Sequence, residues 1–168
     1  HMKKTYNKFI YILIISFTFS SCSSGEEAPV GGDQDQQGDT TSATIWTGSK
    51  ITFSKADGAD HTQAANQDRL TSNVWITRGD RYQIFNIVKE SVANQGTSPV
   101  GTTWAIGDIN DIDNLTFRSF RPAVGKPKNV VGKNLVMHLT EDNIYLSVKF
   151  TSWSQNKRGG FAYERSQP

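Results

Sequence analysis

The sequence predicts an all-β fold, a single antiparallel β-sandwich or jelly-roll domain, and three observations carry that expectation. From Ile45 onward, β-branched and aromatic residues come in short runs broken by Gly, Asn, Asp and Pro, the punctuation of strands and turns. No stretch there holds an apolar stripe at the spacing of about 3.6 residues long enough for a helix. Between 143 and 153, Ile144, Leu146, Val148 and Phe150 alternate with Tyr145, Ser147, Lys149 and Thr151, as in a strand with one buried face.

In chain order the strands are expected at 44–47, 50–56, 73–78, 82–88, 102–106, 115–120, 134–140, 143–153 and 160–165. Many short strands with turn signals between them fit two packed sheets better than parallel βα units. Leu135, Met137 and Leu139 set the inward face of one strand, and Glu141-Asp142-Asn143 supplies turn chemistry to the next. The polar loop Ser154–Gly160 then leads to the final strand. Two long connections interrupt the pattern, Asp57–Leu70 and Arg121–Lys133, and residues 62–70 allow one helical turn. Long loops on a rigid scaffold are where binding usually sits.

Composition narrows the function classes. Lys and Arg number 18 against 16 for Asp and Glu. The division along the chain is uneven: Lys3, Lys4 and Lys8 stand at the start, while Glu26, Glu27, Asp33, Asp35 and Asp39 fall in 22–43. From residue 44 onward there are 15 basic and 11 acidic residues, too mild a surplus for the dense basic stripe that nucleic acid requires. With one cysteine, Cys22, neither an internal disulfide nor a thiolate metal site is available.

The start of the chain has the three-part plan of a secretion leader. His1 before Met2 reads as a cloning scar; Lys3, Lys4 and Lys8 precede the apolar run Phe9–Ile15, and small residues lead to Cys22. The run is shorter than the roughly 20 residues a bilayer-spanning helix needs. Phe19-Ser20-Ser21-Cys22 resembles a lipobox, although Phe19 replaces the usual aliphatic residue; the alternative is an ordinary signal peptide with an incidental cysteine. The resemblance implies a bacterial lipoprotein precursor, cleaved before Cys22 and held in the bilayer by acyl chains on that thiol. Ser23-Ser24-Gly25-Glu26-Glu27 is similar to the acidic export signal of surface lipoproteins in the Bacteroidota, which implies an outer-membrane anchor and display at the cell surface. Residues 28–43 are polar and Gly-rich, as a flexible tether would be. The expected division is therefore 1–21 scar and leader, 22–43 lipidated cysteine and linker, and 44–168 the β-domain. Its ending, Phe150-Thr-Ser-Trp-Ser with Gly159-Gly-Phe-Ala-Tyr-Glu-Arg, resembles that of secreted bacterial β-sandwich proteins of unassigned function.

Four sets of residues are candidates for chemistry. Trp75 and Trp153 have the parity of outward-facing residues, and an exposed indole stacks on sugar rings; the alternative is that a loop, a bulge or the tether covers them. Trp104 shares a face with Ile106 and reads as core, and Trp46 is unassigned. Arg118, Arg121, Lys126, Lys128 and Lys133 form a basic run without an acidic residue, suited to sulfated or uronic polysaccharide or to lipopolysaccharide phosphate; a solvated loop is the alternative. His138, Tyr145 and Lys149, on one face of the hairpin, resemble the acid/base and neutralising groups of polysaccharide lyases, or are plain surface polar residues. Asp108, Asn110 and Asp113 offer alternating oxygen ligands to calcium, without the Gly and Glu of an EF-hand; a capped helical turn closing onto a strand explains them equally. No nucleophile elbow, phosphate loop or zinc motif is present. The expected function is a surface lipoprotein that binds a glycan or another extracellular partner and needs no cofactor. The alternatives are a small carbohydrate-active enzyme, or an accessory subunit bound to an outer-membrane protein.

Overall fold

The structure is a computed structural model that describes residues 42–168. The leader, the lipobox with Cys22, the acidic signal and the linker to residue 41 lie outside the described residues. The nine strands of the described residues belong to one compact unit that runs to Pro168.

The fold is all-β, with two sheets around one core and little helix. The large sheet has the order β2-β9-β8-β7-β6 (Ile51–Lys55, Phe161–Arg165, Ile144–Trp153, Asn134–Leu139, Thr102–Ile106), antiparallel throughout. β1 (Thr44–Trp46) runs parallel beside the first part of β8, whose second part pairs with β9. The small sheet is β3-β4-β5 (Asp68–Arg69, Trp75–Thr77, Phe85–Asn86).

The hairpin β7–β8 follows the expected alternation. Leu135, Met137, Leu139, Leu146, Val148 and Phe150 all point into the core, joined by Val74, Ile76 and Ile84 from and beside the small sheet. Removing such branched and aromatic side chains from water contributes about 1.5–3 kcal/mol each, the dominant favourable term. Trp104 is fully buried, edge-on to Phe120 with ring centroids 5.0 Å apart. Trp46 is also buried, and the Arg165 guanidinium lies 5.8 Å from its ring centre.

One expected strand is absent and one unexpected strand replaces it. Across 115–120 only Arg118 bridges Trp104, with both backbone hydrogen bonds made. The chain then turns into the short helix α1 (Phe120–Val124), because positions i and i+4 of one turn bury Phe120 and Val124 together. Pro122 is tolerated there, since a first turn has no need of its N–H. The new member is β3, two residues that follow the single 3-10 turn Ala64–Asn66 inside the expected 62–70 connection. The expected strand 82–88 shrinks to the two residues of β5.

β3 delivers Asp68 to the buried interior, where it accepts from Arg165 through both oxygens, Nε at 2.7 Å and Nη2 at 2.8 Å. The Tyr163 hydroxyl donates to the same carboxylate at 2.7 Å. This fork ties the small sheet to β9. Burial, with the charge of Asp68 and the hydrogen bond to it, pushes the Tyr163 phenol well above its ordinary range. Burial alone lowers Arg165, but the hydrogen bonds and charge of Asp68 outweigh it and hold the guanidinium above its usual value.

Asp68→Ala strands a buried guanidinium and is expected to cost about 3–5 kcal/mol in urea denaturation. Tyr163→Phe is expected to cost about 1–2 kcal/mol. Because the folded phenol titrates above its unfolded value of 10.0, its contribution is intact below that pH and is lost as the pH rises further. The stability gap between wild type and Tyr163→Phe should therefore be flat up to about pH 10 and shrink above it; a gap that widens in alkali would contradict the assignment.

Candidate functional site

The parity of β8 places Trp153 outward only if the strand runs without interruption. A β-bulge between Phe150 and Ser152 inserts one unpaired residue, and Trp153 turns to the same side as Phe150. Its ring packs on Phe150, Phe120 and Phe161, with centroids 5.8, 6.1 and 6.4 Å away. Trp153 is therefore half-buried at the margin of the core, and the outward reading is corrected.

That margin is the floor of a groove of about 260 Å³, whose walls are Tyr82, Arg121, Lys126, Pro127 and Lys128. The local structure explains why the cations gather there. α1 ends on Gly125, whose φ of 81° is easy only for glycine. Pro127 then opens a second short turn, Pro127–Asn129, and is itself buried, which leaves Lys126 and Lys128 exposed on either side. Arg121 is half-buried on α1. Among the described residues, none of these three cations forms a salt bridge. Lys133 instead donates to the Val124 carbonyl at 3.0 Å, closing the basic segment on itself.

Beneath the groove a fourth cation lies against the tryptophan. Arg78, which follows β4, stacks its guanidinium 3.9 Å from the Trp153 ring centre and donates to the carbonyls of Gly160 at 2.7 Å and Tyr82 at 3.2 Å. It is 4% exposed and has no carboxylate in contact. Burial pulls its pKa down to about 10, with Asp57 acting the other way, so it stays charged at neutral pH. One face of Trp153 is thus occupied. The freely exposed aromatic of the groove is Tyr82, 53% accessible, whose backbone is held in the left-handed region at φ 68°. A bulky residue there is strained, and the hydrogen bond from Arg78 to its carbonyl helps to hold it. Tyr82 carries no pattern in the sequence beyond the neighbouring Gly79-Asp80, a turn signal.

The remaining candidates lie elsewhere. Trp75 is half-buried in the small sheet, with Arg69 4.0 Å over its ring and its indole N–H donating to the Thr71 carbonyl at 2.9 Å. Arg118 is exposed and lines a different recess, with Ile106 and Pro122. His138 and Tyr145 are cross-strand partners stacked 4.1 Å apart and nearly parallel, and Phe117 is edge-on to both. The His138 ring nitrogens face Asn143 Oδ1 at 3.1 Å and Thr103 Oγ1 at 3.5 Å. Lys149 stands four residues along β8 from Tyr145, about 13 Å away, and lines a recess with Asp108 and Asn110. The lyase-like set is therefore divided.

The calcium candidate residues have a backbone role in the structure. Asp108 Oδ1 accepts from the backbone N–H of Asn110 at 2.9 Å and from its side-chain amide at 2.8 Å, capping the 3-10 turn Ile109–Asn114. Its carboxylate serves the backbone, and Asn110 turns nitrogen rather than oxygen toward it. Among the described residues no group of three or more His, Cys, Asp or Glu gathers as a metal site. The segment folds back against β7 and β8, and Leu115 comes so close to Gly107 that a Cβ there would sit 2.4 Å from it.

Asp108→Ala is expected to lower stability by about 1 kcal/mol through the lost cap. Calcium at millimolar concentration should leave the melting temperature of wild type and variant unchanged; a rise in the wild type alone would restore a metal role.

Comparisons with protein families, with curated proteins and with solved structures give no match to the chain.

Proposed function

We propose that the protein is a membrane-anchored, surface-exposed lipoprotein whose β-domain binds an acidic glycan in the groove over Trp153. The observation that carries this reading is the gathering of Arg121, Lys126 and Lys128 around aromatic rings with no carboxylate in the walls. Unpaired cations at the rim attract carboxylate or sulfate groups and form charge-assisted hydrogen bonds with them. Tyr82 adds a sugar-sized apolar surface with a hydroxyl for orientation. Buried Arg78 raises the potential of the floor without meeting the ligand. The anchor rests on the lipobox-like Phe19–Cys22 and the acidic residues after it, and holds the groove near the outer membrane.

The lyase alternative has no comparable support, because His138 is stacked on Tyr145, with Phe117 edge-on to both, while Lys149 stands apart.

A screen of the protein against neutral and acidic polysaccharides tests the reading. Uronic or sulfated chains are expected to bind, with affinity that falls as salt is raised, and Lys126→Ala/Lys128→Ala should weaken them about tenfold or more. Tyr82→Ala should weaken them without unfolding the domain, which Trp153→Ala, as a core change, does not guarantee. Selective binding of neutral glycans, indifferent to the lysine variant, would refute it.

A further inference from the structure

Tyr82 belongs to two recesses. On one side it walls the basic groove; on the other it joins Phe85, Val92 and Ala93 in a second recess, also of about 260 Å³, with His61 and Gly79 at its margin. The second recess is apolar where the first is basic. Among the described residues, the acidic and basic side chains in its lining are Asp80 and Arg81, of opposite sign. Val92 is 62% accessible and Tyr82 53%, so two large apolar side chains face solvent next to each other's recess wall. His61 meets Phe85 edge-on at 5.6 Å and closes the far side.

The loop that presents Val92 and Ala93 is braced from within. The Glu90 carboxylate accepts from the backbone N–H groups of Asn86 at 2.9 Å and Val100 at 2.8 Å, and from the Ser98 hydroxyl. The Gln83 amide donates to the carbonyls of Asn94 and Ser98, both at 2.9 Å. A braced loop that holds valine and tyrosine toward water presents a preformed apolar surface, and preformed surfaces bind with less ordering cost.

We propose that the two recesses are one site divided by Tyr82, and that it takes an anionic saccharide bearing a short apolar substituent, with the acid on Arg121, Lys126 and Lys128 and the substituent against Phe85, Val92 and Ala93. This rests on the acidic-glycan reading and sharpens it. Charge sets the direction: Asp80 and Arg81 offset each other at the apolar recess, whereas three cations and no carboxylate line the basic groove. The finite apolar volume suits a substituent rather than a membrane surface.

The experiment displaces a fluorescent galacturonan oligosaccharide from the protein with methyl glucuronide, octyl glucuronide and octyl glucoside, each below its micelle threshold. Octyl glucuronide should compete at least about tenfold better than methyl glucuronide, a fraction of what full burial of the chain would give. Val92→Asp should erase that gain, bringing octyl glucuronide down to the level of methyl glucuronide; Lys126→Ala/Lys128→Ala should weaken both glucuronides and spare octyl glucoside. If the oligosaccharide binds but octyl and methyl glucuronide compete equally, or the gain survives Val92→Asp, the divided site is wrong and the acidic-glycan reading stands. If the oligosaccharide does not bind, both fall. Binding to phosphatidylglycerol vesicles without displacement by either glucuronide would assign the surface to a membrane and overturn the proposal.

Discussion

The buried fork of Asp68, Arg165 and Tyr163 constrains everything the small sheet does. Strands of two or three residues do not hold themselves together in water, so β3, β4 and β5 depend on what they rest on. Apolar contacts through Val74, Ile76 and Ile84 hold them against the large sheet without fixing a direction. Two parallel hydrogen bonds between a planar guanidinium and a carboxylate do fix one, because both the distance and the plane must match. Arg165 also approaches Trp46, so the same side chain lies where β1 and β9 share the edge of β8.

From that register the position of the groove follows. The chain through β4 carries the apolar Val74 and Ile76 and then Arg78, which arrives over Trp153 only if β3 and β4 are correctly set. Burying a guanidinium without a carboxylate partner is unfavourable. Backbone carbonyls and the tryptophan ring offset part of that penalty, and one of those carbonyls is that of Tyr82. The strained turn that exposes Tyr82 is thus coupled to the buried cation below it. Floor and rim come from different parts of the chain, with the bulged end of β8 below and the α1–Pro127 segment beside it.

Most of the large sheet was legible in the sequence because its signal is local. Inward alternation in 134–153 needs only neighbouring residues, and the strands there agree to within a residue or so of their ends. The basic segment was legible as composition, though not that Arg118 and Lys133 would leave the other cations. Trp153 was misread because parity arguments assume an unbroken strand, and a one-residue bulge reverses them. β3 was invisible since two residues carry no period, and Asp68 looked like any loop acid until Arg165, 97 residues away, supplied its partner. The run 115–120 alternates like a strand, yet tertiary packing of Phe120 with Val124 overrides it. Tyr82 had no signal of its own, as its exposure depends on a left-handed backbone that sequence seldom reveals.

The division between floor and rim bears on how such a surface diversifies. Trp153, Phe120, Phe150 and Phe161 answer to the core first, so mutation there is filtered by folding before any ligand is met. Lys126, Lys128 and Tyr82 are exposed on turns, with Arg121 half-buried beside them on α1, and changes at exposed positions typically alter stability by about half a kcal/mol or less. On the proposed binding role, rim residues can be exchanged, and with them the molecule recognised, at little expense to folding, while the hydrophobic floor stays fixed by the core.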